Sequence, residues 1–178
     1  MARNIELKAR CSDLARAEAA CERLGARRVW TRRQTDLYFR VPSGRLKLRI
    51  QSPGGAELVS YQRADAPEAR ESQYEITPVA HAQQTLAALG ARHGIAARVE
   101  KTRTLYVLAN VRIHLDRVAG LGTFVEFEAV LSPGDDETKA RATLERLRAE
   151  LELAPADLVA GSYADLVGSD AAPGATDG

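Results

Sequence analysis

Ionised and aliphatic side chains alternate with a period of two in one segment after another of this chain. The plainest case is Arg45-Leu46-Lys47-Leu48-Arg49-Ile50, with Arg45, Lys47 and Arg49 on one side and Leu46, Leu48 and Ile50 on the other. A strand sends successive side chains to opposite faces, so this is the signature of a β-strand and not of a helix. The run Gly122 to Val130 sets Glu126 and Glu128 against Val125, Phe127 and Ala129. Asn4 to Lys8 sets Asn4, Glu6 and Lys8 against Ile5 and Leu7, and Val111 to Val118 sets Arg112, His114 and Asp116 against Val111, Ile113 and Leu115.

The remaining strands follow the same rule. Gln34 to Val41 places Asp36, Tyr38 and Arg40 opposite Leu37 and Phe39. Glu57 to Arg63 returns after a turn at Ser52-Pro53-Gly54-Gly55, and Glu71 to Ile76 carries Glu71, Gln73 and Glu75 on one side. Arg98 to Val107 carries Lys101 and Arg103 together. Turn residues separate these runs, Pro42-Ser43-Gly44 and the Gly120/Gly122 pair among them. That pair lacks phosphate-loop spacing and reads as a hairpin.

Helical spacing occurs in four places. Ser12 is placed to cap a helix from Asp13 to Leu24, ended by Gly25. A second helix is expected from Val79 to Leu89, with Val79, Ala82, Leu86 and Leu89 as its stripe, ended by Gly90. A third runs from Asp135 to about Leu153, with acids at its start as the helix dipole prefers, and Pro155 starts one more through Leu166. From Gly168 the chain is small and polar, and a disordered tail is expected.

Eight strands joined mostly as antiparallel hairpins are the number that closes a barrel around side chains or one small ligand. The fold expectation is therefore α+β, an antiparallel eight-stranded closed barrel with helices packed outside. Any one of these strands could be an ordinary sheet with a solvated polar face. Repetition argues otherwise. The shared face carries Glu6, Lys8, Arg45, Lys47, Arg49, Arg63, Glu75, Lys101, Arg103, Arg112, Asp116, Glu126 and Glu128, while the opposite face is Ile, Leu, Val and Phe throughout.

With the aliphatic faces under helices, the charges point into the barrel. Burying an unpaired charge costs several kcal/mol even after relaxation, roughly the penalties known for buried ions. Such a lumen has to be wet, internally paired and occupied. Converging Arg and Lys suit an elongated polyanion, because guanidinium forks match phosphate oxygens in pairs. The carboxylates would repel that ligand without a hard divalent cation between them, and oxygen donors of this kind suit Mg²⁺ or Mn²⁺.

Composition narrows the partners. Although 28% of the residues are charged, the net charge is +1, so no overall field points to nucleic acid or to a membrane surface. No apolar run reaches transmembrane length, and the chain enters its first strand without a signal-peptide pattern, which leads to the expectation of a cytoplasmic protein. Cys11 and Cys21 have no metal-binding or redox spacing. His114 reads as a satisfied barrel histidine, and Ser162-Tyr163-Ala164-Asp165-Leu166 reads as packing and capping.

Taken together, several motifs resemble the CYTH domain, the triphosphate tunnel metalloenzymes, which include class IV adenylate cyclases, thiamine triphosphatases and inorganic tripolyphosphatases. They are Asn4-x-Glu6-x-Lys8, Gln34-x-Asp36-x-Tyr38-Phe39, Arg45-x-Lys47-x-Arg49, Glu75, Lys101-x-Arg103, Ile113-His114-Leu115-Asp116, Phe124-Val125-Glu126-Phe127-Glu128 and Ser162-Tyr163-x-Asp165-Leu166. The closest likeness is to the class IV cyclase branch. The resemblance implies one such domain over residues 1–167 and a tail over 168–178.

The resemblance also implies roles. Glu6, Glu126 and Glu128 become metal-site acids for Mg²⁺ or Mn²⁺. Lys8, Arg45, Lys47, Arg49, Arg63, Lys101, Arg103 and Arg112 become the triphosphate-binding set, and Lys8 and Asp116 the catalytic candidates. Asn4 stands where the family motif begins with Glu, and Gln73 where relatives often carry the first acid of a Glu-x-Glu pair. Each change removes a negative charge and keeps an oxygen donor, which bears on two-metal occupancy more than on substrate binding. The substrate expected is a triphosphate-containing small molecule (tripolyphosphate, thiamine triphosphate or ATP), cleaved by water or cyclised with loss of pyrophosphate; a binding protein without turnover is the third reading. A homodimer is compatible with all three.

Overall fold

The computed structural model describes residues 2–170. Eight strands appear in chain order: β1 (Ala2–Arg10), β2 (Arg27–Phe39), β3 (Arg45–Ser52), β4 (Ala56–Arg63), β5 (Arg70–Val79), β6 (Ile95–Leu108), β7 (Val111–Val118) and β8 (Gly122–Leu131). They close a barrel in the order β1-β5-β4-β3-β2-β6-β7-β8, with every pair antiparallel. Four α-helices accompany it: α1 (Leu14–Arg23), α2 (Ala82–His93), α3 (Glu137–Glu150) and α4 (Tyr163–Asp170).

The apolar faces of the strands point outward, as the alternation requires. Ile5, Leu7, Ile113, Leu115, Val125 and Phe127 are almost wholly buried against Leu14, Ala17 and Cys21 of α1 and Leu144 and Leu147 of α3. Each such aliphatic or aromatic side chain contributes about 1.5–3 kcal/mol when removed from water. On the opposite flank, Leu37, Phe39 and Leu48 pack with Val79 and with Leu86 and Leu89 of α2.

α4 does not cover a sheet face. It closes one end of the barrel, where the inward faces turn from charged to apolar. Along β8 the inward residues are Glu128, Glu126 and then Phe124; along β7 they are Arg112, His114, Asp116 and then Val118. Phe124, Val118, Val99, Tyr38 and Leu121 form a plug with Val159 and Tyr163, and the Phe124 and Tyr163 rings meet edge to face at 5.0 Å.

Several expectations are corrected. Glu71, Gln73 and Glu75 face outside the barrel, and Gln73 and Glu75 are exposed. Asn4 pairs with Ser72 and Glu6 with Arg70, and directly paired residues share a face, so β5 sends Arg70, Ser72 and Tyr74 inward. The change at Gln73 therefore removes nothing from the lumen. β2 starts at Arg27, well before Gln34, in a stretch polar on both faces.

At the helices, Asp13 and not Ser12 caps α1, accepting a hydrogen bond from the Arg16 N–H at 3.0 Å. Val79 ends β5, and α2 runs through Gly90 to Gly94, whose φ of 71° suits a residue without Cβ. α3 is shorter than expected and is capped by Asp136. The last expected helix is instead a 3-10 turn at Pro155–Asp157 followed by the separate α4. α4 reaches Asp170, and the rest of the expected disordered tail, 171–178, lies outside the described residues.

Candidate functional site

The barrel encloses a cavity of about 340 Å³. Eight lysine and arginine side chains (Lys8, Arg32, Lys47, Arg49, Arg63, Lys101, Arg103 and Arg112) face five carboxylates there (Glu6, Asp36, Glu57, Glu126 and Glu128). The formal surplus is three positive charges between low-dielectric walls, which favours a polyanion over a cationic or neutral ligand. At the end away from α4, Trp30, Leu105 and Ile76 add apolar surface. Ile76 is 45% exposed, which marks this end as the open mouth.

Toward the plugged end, Asp36 on β2 lies beneath three cations. Lys101 donates to it at 2.7 Å, Lys47 at 3.1 Å, and Arg49 at 2.8 and 2.9 Å in a forked pair. Burial opposes the charge on Asp36, yet Arg49, Lys101 and Lys47 together hold its carboxyl well below the usual range. Burial also lowers the two lysines, Lys101 to about 7 and Lys47 to about 8, with Asp36 only partly offsetting it. Two lumen ammonium groups are thus near the edge of deprotonation at neutral pH.

A second group joins β6, β7 and α4. Arg103 makes a forked pair with Asp116 at 2.7 and 2.6 Å and reaches Glu126 at 2.8 Å. The Tyr163 hydroxyl donates to Asp116 at 2.6 Å. Both oxygens of Asp116 are engaged, so this fully buried carboxylate orients Arg103 and does not itself line the cavity.

The third group is acidic. Glu126 lies 3.2 Å from the Lys8 ammonium, and burial pulls Lys8 below its ordinary range. Glu128 lies 3.6 Å from Arg112. His114 Nδ1 sits 3.5 Å from Glu126 and 3.8 Å from Glu128, is buried, and among the described residues makes no close hydrogen bond, its nearest contact being the long one to Glu126. Donor atoms of His114, Glu126 and Glu128 all lie within 4.8 Å of one another. A buried imidazole nitrogen without a close partner, aimed at two carboxylates, fits a divalent cation.

The remaining candidates fall as follows. Glu6 lies across β1 and β8 from Glu128 but is bound by Arg63 and lies 3.3 Å from Arg70, so it is held by cations and stands apart from the His114 cluster. Among the described residues, Arg63 Nε and Nη2 are buried at the lumen wall without hydrogen-bond partners, donors that suit phosphate oxygens. Arg112 is 40% exposed on its side chain at the cavity edge. Arg45 is not in the cavity wall. It pairs with Asp65 at 2.8 Å and with Asp165 of α4 at 3.0 Å, fastening the plug.

Four contributors receive no site role from the sequence. Asp36 shares its face with Tyr38 by simple alternation, a signal that was present. Arg70 falls at the very start of β5 and has no such signal. Ser162 and Tyr163, read as packing and capping, also line the cavity, and Tyr163 carries the Lys8 ammonium over its ring at 4.1 Å.

The comparisons agree with this architecture. The CYTH domain family model matches residues 2–163. A Methanocaldococcus jannaschii protein named "Putative adenylate cyclase" is 21% identical over 171 residues, covering 92% of this chain and 98% of the relative. A solved structure from Pyrococcus horikoshii superposes with a TM-score of 0.82 at 24% identity, over 92% of this chain and 98% of that one. A Hippeastrum protein, described as a "putative adenylyl cyclase" with a dominant triphosphatase activity, superposes with a TM-score of 0.61 at 15% identity, over 84% of this chain and 88% of that one. The superpositions speak for the barrel, and the family match spans all eight of its strands: this chain belongs to the CYTH domain family.

Proposed function

We propose that the protein is a divalent-metal-dependent triphosphatase that draws a linear triphosphate into the barrel and hydrolyses it at phosphorus. The observation that carries this is the surplus of buried lysines and arginines in a cavity stopped at one end, with Arg63 donors left unpaired in its wall. Phosphoryl transfer needs positioning and charge neutralisation more than covalent help from the protein, and this lumen supplies both.

Glu126 and Glu128 would hold the metal ion. The chemistry such an ion supplies is neutralisation of phosphoryl oxygens and acidification of a ligated water. Arg63 binds phosphate oxygens through its open Nε and Nη2 donors, Arg103 and Arg49 through the Nη1 groups that their carboxylate pairs leave over, and Lys47 and Lys101 add point charge. Lys8, whose neutral form burial favours, accepts in that form the proton of the attacking water at Nζ, becoming the ammonium that faces Glu126. The water oxygen bonds to the terminal phosphorus as the bridging P–O bond breaks, and the shortened phosphate chain leaves with the electron pair. Asp116 acts through Arg103, which it orients.

A second reading is favoured by the mouth, where Trp30, with Arg32 stacked 4.7 Å above its ring, stands beside Leu105 and Ile76. A nucleobase suits that surface, and a ribose 3′-hydroxyl would then attack the α-phosphorus of ATP and expel pyrophosphate. One assay separates these. Purified protein is given tripolyphosphate, thiamine triphosphate and ATP with Mg²⁺ or Mn²⁺, beside a Glu128→Ala control. Orthophosphate that disappears in the control supports the triphosphatase; cyclic AMP with pyrophosphate overturns it in favour of the cyclase. Absence of product while tripolyphosphate still raises the melting temperature leaves a binding protein.

A further inference from the structure

We infer that His114 is a nitrogen ligand of the metal site and makes that site select first-row transition cations such as Mn²⁺ over Mg²⁺. This rests on the reading of Glu126 and Glu128 as metal-holding acids and adds to it the class of ion taken.

The argument starts from the backbone. His114 on β7 is directly paired with Glu126 on β8, and Arg112 with Glu128 two residues on. Paired residues share a face, so the imidazole and both carboxylates are held on one side of two adjacent barrel strands. The side chain of His114 is 7% exposed. A buried ring nitrogen ordinarily finds a hydrogen-bond partner, and leaving it without one is destabilising. His114 Nδ1 lies 3.5 Å from Glu126 Oε2 and 3.8 Å from Glu128 Oε1, too far for a well-formed hydrogen bond to either. A cation bound to all three would relieve the orphaned nitrogen and lessen the repulsion between the two acids.

The neighbours leave room for it. Glu126 Oε1 faces Lys8, and Oε2 is shared with Arg103. Glu128 Oε2 faces Arg112 at 3.6 Å, while its Oε1 is turned toward His114. A carboxylate oxygen has two lone pairs, so a partner on one side does not exhaust it. Donor type then decides the ion. Mg²⁺ holds oxygen ligands and gives up water reluctantly, whereas imidazole nitrogen is a ligand of the first-row transition cations, weakest for Mn²⁺ at the foot of their order and stronger for Fe²⁺ to Zn²⁺ above it. Replacing one oxygen donor by nitrogen raises the preference for a transition cation above what carboxylates alone would give.

The test uses the full chain without substrate. Mn²⁺ is titrated in and followed by the loss of the free-ion electron paramagnetic resonance signal, with Mg²⁺ as competitor. Pulsed measurements on the loaded wild type then look for coupling to a directly bonded ¹⁴N. We expect that coupling, and we expect His114→Gln to abolish it. The substitution should weaken Mn²⁺ binding by about tenfold or more while changing Mg²⁺ competition by less than about threefold. Bound Mn²⁺ without ¹⁴N coupling, unchanged Mn²⁺ affinity in the variant, or no Mn²⁺ binding at all overturns the inference. The wild-type spectrum does not depend on the variant's folding. The outcome is also separable from the proposed activity: nitrogen-bound Mn²⁺ in a protein that turns over no triphosphate would sink the activity alone, and turnover with an oxygen-only Mn²⁺ site would sink this inference alone.

Discussion

Lys101 and Asp36 lie 2.7 Å apart with side chains 1% and 0% exposed, and Asp36 is also the counter-ion of Lys47 and Arg49. One carboxylate therefore steadies three buried cations. Asp36→Asn keeps the shape and removes the charge. It should destabilise the ligand-free protein by about 3–5 kcal/mol, the cost of stranding a buried charge. Tripolyphosphate should restore much of this, so the ligand-induced rise in melting temperature should be larger in the variant than in wild type. An equal rise in both would show that Asp36 and the ligand do not share the same cations.

The pH dependence follows from the same lysines. Lys101 titrates near 7 and Lys47 near 8 in the folded protein, both below the ordinary 10.5. Between about 7 and 9 the folded state holds fewer protons on these groups than the unfolded one, so their contribution to stability in the ligand-free protein rises with pH across that window. Polyanion affinity should move the opposite way, because only the protonated lysines attract phosphate. Calorimetric titration at pH 8 in two buffers of different ionisation enthalpy should reveal proton uptake on tripolyphosphate binding. Proton release, or affinity that improves toward pH 9, would contradict the assignment.

Arg45 and Arg63 were both expected to touch the triphosphate, yet only Arg63 lines the cavity, while Arg45 is tied to Asp65 and Asp165. A charged hydrogen bond to a buried anion is worth about 1.5–3 kcal/mol, roughly tenfold or more in affinity. Arg63→Met should weaken tripolyphosphate binding by at least about tenfold. Arg45→Met should change it by less than about threefold and instead loosen α4, seen as faster amide exchange in that helix. The reverse ranking would place Arg45 on the ligand.

Tyr163→Phe removes a single hydroxyl, the donor to Asp116 Oδ2, and leaves the ring beneath Lys8. Leaving a buried carboxylate oxygen short of that bond should cost about 1–3 kcal/mol in urea unfolding. The catalytic effect should fall on turnover more than on KM, because Asp116 acts by aiming Arg103. A variant with wild-type stability and turnover would reduce Tyr163 to a packing residue.

Much of this was legible in the chain itself, for a physical reason. A barrel lined with ions and wrapped in aliphatic side chains cannot hide its period, and Arg45 to Ile50, Val111 to Val118 and Gly122 to Val130 state it openly. Parity was lost where a strand had to be entered from an irregular stretch. Ala64 to Glu68 separates β4 from β5, and the shared polarity of Glu71, Gln73 and Glu75 reads as a lumen face when Ser72 and Tyr74 are there. β2 was shortened because Arg27 to Arg33 shows the lumen and solvent similar polarity, so no apolar face announces it. Val79 has the spacing of a helix stripe and still ends a strand, because the same apolar cluster receives both β5 and α2. Tyr163 was the least readable. Its role depends on a helix docked against the barrel end from far along the chain, and no local pattern encodes that.

The closing of the barrel also sets an order of events. β1 is bonded to β5 on one edge and to β8 on the other, and Lys8 meets Glu126 only across the latter seam. On the ribosome the strand made before the other seven keeps its second edge open until the eighth emerges, with Ile5 and Leu7 lacking their β8 and α3 neighbours meanwhile. Loop closure over so much chain is slow compared with hairpin formation. The nascent polypeptide therefore acquires Glu6 and Lys8 in place at the seam that completes the cylinder, so a partly made chain holds neither the acidic cluster's full surroundings nor a lumen able to retain a polyanion.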